Sequence, residues 1–249
     1  MTVAGTAGKV GIVFVSHSEK IAEGLVDLAS QMAADTSLAA AGGTDEGGIG
    51  TSFDKVSAAI VEVDSGEGVV VLADLGSAIL TAETALDFLD DDVQARVRIV
   101  DAPLVEGGVA ASVAAETGGT LDDVVAAAES ARGSAGDVPG PDAAGGAGAG
   151  TTVGQTDARV EDAAAPLTRT VTVVNKDGLH ARPAAEFVKL ANTFPAKITI
   201  NGKDSKSLLG IMSLGLVRGT TATLTTDDEA GRDALDALAG LIESGFGEA

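Results

Sequence analysis

The chain opens on a repeating alternation of apolar strands and amphipathic helices. Val10-Gly11-Ile12-Val13-Phe14-Val15 is an unbroken apolar run, the pattern of a strand covered on both faces in a parallel sheet. It ends in Ser16-His17-Ser18, after which Ile21, Leu25, Leu28 and Met32 recur at spacings of four, three and four. That spacing predicts a helix with Ser18 as its N-cap and those four side chains turned inward. A short strand over 37–41, a Gly-rich loop over 42–52 and a helix around 53–63 follow. Val69 to Ala73 is a third strand, Ser77 to Leu89 another helix, Arg96 to Val100 a fourth strand, and Gly108 to Arg132 helical material restarting at Thr120. Strands alternating with helices predict a doubly wound parallel α/β sheet over residues 1–132.

The pattern then stops. Residues 133–166 are dominated by Gly, Ala, Pro, Asp and Thr without apolar periodicity, which predicts a disordered linker. As a flexible coil, its 34 residues span roughly 30 Å. Periodicity resumes in residues 167–249. An alternating strand, 170–174, runs through the turn signal Asn175-Lys176-Asp177-Gly178 into a helix carrying Pro183 in its first turn; Ala196 to Gly202 reads as a strand and turn, 206–215 as a short helix, 222–225 as a strand, and 227–244 as a final helix with Leu235, Leu238, Leu241 and Ile242 inward.

Both histidines of the chain fall at strand-to-helix junctions. His17 follows the first strand. Asp74 follows the third, and in a flavodoxin-like strand order those two strands are neighbours where the order reverses, the place at which such sheets bind ligands. A carboxylate there hydrogen-bonds one imidazole nitrogen and leaves the other as nucleophile. His180 sits where free amides and the positive end of a helix dipole face an anion, and Arg182 adds a guanidinium fork matched to phosphate oxygens. The competing reading, a histidine that only caps a helix and an Asp that is only solvated, is open at both places on spacing alone.

Motif context decides between them. Gly178-Leu179-His180-Ala181-Arg182-Pro183-Ala184, followed by Lys206-Ser207-Leu208-Leu209-Gly210-Ile211-Met212, closely resembles HPr, the histidine-containing phosphocarrier of the bacterial phosphoenolpyruvate-dependent phosphotransferase system, over about residues 168 to 246. Val15 to Ser18, Gly43-Thr44-Asp45, Ile49-Gly50-Thr51-Ser52 and Asp74-Leu75-Gly76-Ser77-Ala78 resemble the phosphotransfer subunit of phosphoenolpyruvate-dependent dihydroxyacetone kinase, DhaM, whose first domain is similar to the mannose-family enzyme IIA. The resemblance implies an α/β enzyme IIA-like domain followed by an α+β open-faced sandwich. It implies phosphohistidines at His180 and His17, with Asp74 orienting His17 and Arg182 stabilising phosphate. Ser16, Ser18, Thr44, Asp45, Thr51 and Ser77 then belong to the loops around His17, and Ser207 matches a serine that is regulatory in some relatives.

The implied partners are enzyme I, the ADP-binding and substrate-binding subunits of the kinase, and a second copy joined through the N-terminal domain. Phosphate would pass from enzyme I to His180, to His17, and to ADP in the kinase. Two other readings stand beside this relay: an enzyme IIA–HPr fusion serving a mannose-type sugar transporter, and a regulatory module whose phosphorylation only changes binding.

Charge narrows the partners. The net is −21, of which residues 1–132 carry −16, the linker −4 and residues 167–249 −1. So acid a chain disfavours nucleic acid and anionic membranes. Its near-neutral last third, with Lys176, Arg182, Lys189 and Lys206 in reach of one face and Leu208, Leu209 and Met212 as an apolar complement, is expected to dock on the acidic first domain. No cysteine is present and only two histidines, so neither a disulfide framework nor a metal site is expected. No Gly-x-x-x-x-Gly-Lys-Ser/Thr loop occurs, so no nucleotide or other cofactor is expected. Neither a signal peptide nor a stretch of ~20 apolar residues is apparent, and a cytoplasmic protein is expected.

Overall fold

The computed structural model describes residues 2–3, 8–134 and 166–247. The expected linker falls almost wholly outside the described residues.

The first unit runs β1 (Thr2–Val3), β2 (Gly11–Ser16), α1 (Glu19–Ser30), β3 (Leu38–Gly42), α2 (Phe53–Val63), β4 (Val69–Ala73), α3 (Gly76–Asp87), α4 (Asp91–Gln94), β5 (Val97–Val100), α5 (Leu104–Glu116), α6 (Leu121–Glu129) and α7 (Ala131–Ser134). Its sheet has the order β1-β3-β2-β4-β5, parallel apart from the short edge strand β1. Every residue of β2 is buried, because helices cover both faces. Phe14, Leu25, Val26 and Leu72 pack with α1, α5 and α6 on one side. Val13, Val15, Ile60 and Ala82 pack with α2 and α3 on the other. Two glycines inside α5 would ordinarily cost about 1 kcal/mol each in helix propensity. Here a Cβ on Gly108 would be driven into the ring of Phe14, so glycine allows α5 to lie close on the sheet.

The inward face of α1 differs from the expected one. Ala22, Leu25, Val26 and Ala29 are buried, whereas Ile21 and Leu28 are 49% and 42% exposed. The buried face includes the small residues Ala22 and Ala29 and lies one position on from the four-three-four spacing of the large residues. Ser18 does occupy the N-cap position, yet its side chain makes no capping bond. Thr120 does cap: it and Asp123 form a reciprocal capping box at the start of α6, where the helix restart was expected.

The second unit runs β6 (Leu167–Thr172), α8 (Ala181–Asn192), β7 (Thr199–Ile200), β8 (Lys203–Asp204), α9 (Leu208–Met212), β9 (Thr221–Thr226), a 3-10 turn at Glu229–Gly231, and α10 (Arg232–Glu243). Its four-stranded antiparallel sheet, β6-β9-β7-β8, is covered by the helices over a core that includes Phe187, Ile198, Ile200, Ile211, Leu224, Leu238 and Ile242. Of the four residues expected inward on α10, three are buried and Leu241 packs at the margin. The last helix begins five residues later than expected, since Asp228 caps the 3-10 turn first.

Candidate functional site

Register places the first site. Val15 pairs with Ala73 across β2 and β4, and Ser16 with Gly42 across β2 and β3. His17 and Asp74 therefore leave adjacent strands side by side at the point where the strand order reverses, with the Gly43 loop on the other flank.

The Asp74 carboxylate accepts three hydrogen bonds: its Oδ2 from the backbone N–H of His17 and from the Ser16 hydroxyl, its Oδ1 from the His17 ring at Nδ1, each 2.9 Å. Burial pushes this carboxyl up, but the bonds from His17 and Ser16 outweigh it and hold Asp74 below the usual carboxylate range. An ionised Asp74 fixes the proton on Nδ1. In the neutral ring with that proton placement, Nε2 presents its lone pair 2.8 Å from the Ser77 hydroxyl in the first turn of α3, which is then the donor. His17 is 22% and Asp74 17% exposed, open enough for a reactant and sheltered enough for the bonds to count. Ser18 contributes through its backbone, its N–H donating to the Ser16 hydroxyl at 3.1 Å.

The Gly43 loop is tied over the histidine by the Gly50 N–H, which donates to the His17 carbonyl at 2.9 Å. Thr44, Asp45 and Thr51 hold that loop in shape and do not bond to the imidazole. The Thr44 hydroxyl accepts the Gly48 N–H, Asp45 accepts the Ser52 hydroxyl, and Thr51 shares a 2.7 Å bond with Thr81. Lys55 and Thr81 carry no sequence signal as site residues, and Ser52 stands in the sequence only as part of the Ile49 to Ser52 motif. Ser52 had a legible signal as the residue before a helix, and it accepts the Lys55 N–H; the Lys55 ammonium in turn holds the Gly42 carbonyl.

At the second site His180 is the N-cap residue of α8, exposed, with no side-chain capping bond. Helix geometry leaves the amides of Ala181 and Arg182 outside the intrahelical ladder, and Pro183 has none. The approach loop is tied by backbone and side-chain hydrogen bonds. Leu179 donates to the Leu216 carbonyl at 2.8 Å, His180 to the Gly178 carbonyl at 3.0 Å, and the buried Asn175 amide to the same Gly178 carbonyl at 2.5 Å. Gly178 has φ +71°, and a Cβ on it would meet the Leu216 carbonyl, which only glycine tolerates. Arg182 is 65% exposed and faces Glu186 one turn on, at 3.7 Å. Ser207 caps α9 by accepting the Gly210 N–H at 3.1 Å.

Of the four cations expected on one docking face, only Lys189 reaches a first-unit acid. It meets Glu116 at 3.1 Å, while the Lys206 ammonium donates to the Phe194 carbonyl of its own unit and Lys176 is exposed. Leu209 does pack on the first unit, against Ala110 and Ala131. Among the described residues no group of three or more His, Asp or Glu side chains converges on a metal-sized space, and no helix is long and apolar enough to cross a membrane.

Two family models match the chain: "PTS system fructose IIA component" over residues 11–125 and "PTS HPr component phosphorylation site" over residues 167–244. A 43% identity over 105 residues links it to phosphoryl donor subunit DhaM of PEP-dependent dihydroxyacetone kinase 2 from Listeria innocua, covering 42% of this chain and 84% of that protein. The chain belongs to the DhaM family. It is also 34% identical over 247 residues to the phosphoryl donor subunit DhaM of Providencia stuartii, covering 96% of this chain and 50% of that one. The phosphocarrier protein HPr of Cupriavidus necator is 43% identical over 86 residues, which cover 33% of this chain and 97% of that protein. The chain spans about half the length of the first curated relatives it matches. Its architecture is an enzyme IIA-like α/β domain followed by an HPr-like α+β domain.

Proposed function

We propose that the chain is a phosphoryl carrier of the phosphoenolpyruvate-dependent phosphotransferase system, receiving phosphate from enzyme I on His180 and relaying it through His17 to ADP held by a dihydroxyacetone kinase. The observation that carries this reading is the His17 site. An imidazole with its Nδ1 proton fixed on an ionised carboxylate and its Nε2 lone pair aimed outward toward a hydroxyl is prepared to attack phosphorus.

In the transfer between histidines the bond from phosphorus to a His180 ring nitrogen breaks, and its electron pair returns to that ring. A new bond forms to Nε2 of His17. The His17 ring then carries a substituent on both nitrogens, and Asp74 balances the positive charge this places on it. Ser77 and the exposed amides at the start of α3 and of α8 hold the phosphoryl oxygens, and Arg182 is within helix-turn reach of those on His180. Such a transfer asks for positioning and charge stabilisation more than for covalent chemistry.

The acceptor sits on the kinase's ADP-binding subunit, and its substrate-binding subunit takes up dihydroxyacetone. The acting unit is a cytoplasmic homodimer through the N-terminal domain, for which the exposed Leu80 and Phe88 on the α2/α3 side offer apolar surface. The domains are bounded at about 132 and 167. The fructose component named by the first family model favours a second reading, service to a sugar transporter. The test is a chase: phosphorylated chain is mixed with the kinase subunits, ADP and dihydroxyacetone. Formation of dihydroxyacetone phosphate at the rate of label loss supports the relay to the kinase, and retention of label in the chain overturns it.

A further inference from the structure

The two domains meet on the α1/α5/α6 side of the first sheet, away from His17. Glu116, at the end of α5, is 6% exposed and receives Lys9 at 3.1 Å, the Thr36 hydroxyl at 2.8 Å and the Asp35 N–H at 3.0 Å, all from the first domain. Lys189 of α8 completes the set from the second domain, at 3.1 Å. Burial pushes this carboxyl up, but Thr36, Lys9 and Lys189 together hold it below the usual range. Met32, Val109 and Val113 join the apolar cluster of the second domain, and Leu209 seats among Ala110, Ala127 and Ala131. Lys9 precedes β2 and His17 follows it, so at least about 20 Å of extended chain separates the ends of the sheet to which Glu116 and His17 belong.

His180 remains exposed in this arrangement, and both ring nitrogens of His17 are engaged within the first domain. A cleft of about 500 Å³, open to solvent, runs between α5 and α6 of the first domain and α8 and α9 of the second, so water reaches the margin of the contact.

We propose that the α5 face around Glu116 is a docking seat for the HPr-like domain of the same chain, distinct from the place where His180 and His17 meet. The seat holds the carrier domain with His180 outward, and the domain leaves it to transfer. Lys189 is the electrostatic latch and Leu209 the apolar key. An interface of this kind, part salt bridge and part apolar beside a solvent-open cleft, is of the reversible sort found between domains that move.

The chain has no cysteine, so introduced pairs report alone. In the full chain, Ala110→Cys with Leu209→Cys is compared with Val61→Cys with Leu209→Cys, which puts the first thiol on the opposite side of the sheet. Intrachain disulfide formation, separated from interchain by mass, is expected at least about tenfold faster for the first pair. Lys189→Met, which leaves the first domain untouched, is expected to slow it about fivefold. Equal rates for the two pairs, an interchain product, or indifference to Lys189→Met would overturn the seat. This test is independent of phosphoryl transfer. A second arm rests on the relay: the oxidised pair should block passage from His180 to His17 and dithiothreitol restore it. Unimpeded passage with the disulfide closed would refute a seat distinct from the transfer position.

Discussion

Replacing Asp74 by Asn tests how the His17 site is built. Asn is nearly the same size, so the change is one of hydrogen-bond character. The carboxylate accepts three bonds, and an amide turns one of its two oxygens into a donor. If the amide nitrogen takes the Oδ2 place, it opposes two donors, the His17 N–H and the Ser16 hydroxyl. If it takes the Oδ1 place, it opposes Nδ1, and the imidazole relieves the conflict by moving its proton to Nε2, which removes the nucleophilic lone pair. A hydrogen bond to a charged group is worth about 1.5–3 kcal/mol, so transfer to His17 should slow roughly 10- to 150-fold. The assay is the initial rate of label transfer from phosphorylated HPr-like domain to His17, with thermal unfolding followed alongside. Transfer within twofold of wild type would show that Asp74 does not set the tautomer.

Other outcomes follow from the same contacts. Ser77→Ala removes the hydroxyl on Nε2 without burying a new polar group; transfer to His17 should fall about fivefold with the melting temperature unchanged, by the same label assay. Gly178→Ala forces a Cβ into the Leu216 carbonyl at positive φ and should destabilise by more than about 2 kcal/mol in urea unfolding, with His180 phosphorylation lost in proportion to folded protein. Asp64, Asp74, Glu116 and Asp123 all have carboxyls held below their ordinary range, Asp64 first by its Arg96 bond and Asp123 by its Thr120 bond. Lowered folded pKa values contribute stability that is complete above the unfolded values and is lost as pH falls through the folded ones. Unfolding free energy should therefore be flat through neutral pH and fall below about pH 4, less steeply in Asp74→Asn. Thr120→Ala should cost about 1 kcal/mol by breaking the α6 capping box, read by the same unfolding assay.

Much of the fold was legible because continuous apolar runs mark buried parallel strands. The bounds 53–63 and 69–73 agree with α2 and β4, and β2 and β4 are neighbours as a flavodoxin-like order requires, an order that strand alternation alone does not dictate. The inward face of α1 is not legible from its large residues, because alanines fill the close contacts on the sheet. His17 and Asp74 could be paired because each directly follows a strand. The Gly50 tie to the His17 carbonyl had no such signal, since it is a backbone bond set by loop geometry. Glu116 was one of many acids in an acidic domain; only the fold brings Lys9, Thr36 and Lys189 to it from separations of 107, 80 and 73 residues. Docking by the HPr-like domain was expected through four cations, yet one carries it, because Lys206 and Arg182 have partners nearer at hand.

The relay itself is tested most directly by counting phosphates. Intact mass is recorded after incubation with phosphoenolpyruvate and enzyme I for wild type, His17→Ala and His180→Ala. The account predicts two phosphates on wild type, one on His17→Ala and none on His180→Ala. A phosphate retained on His180→Ala would mean that His17 is loaded without His180, and a single phosphate on wild type would mean that one of the two histidines is not a carrier; either result contradicts the relay.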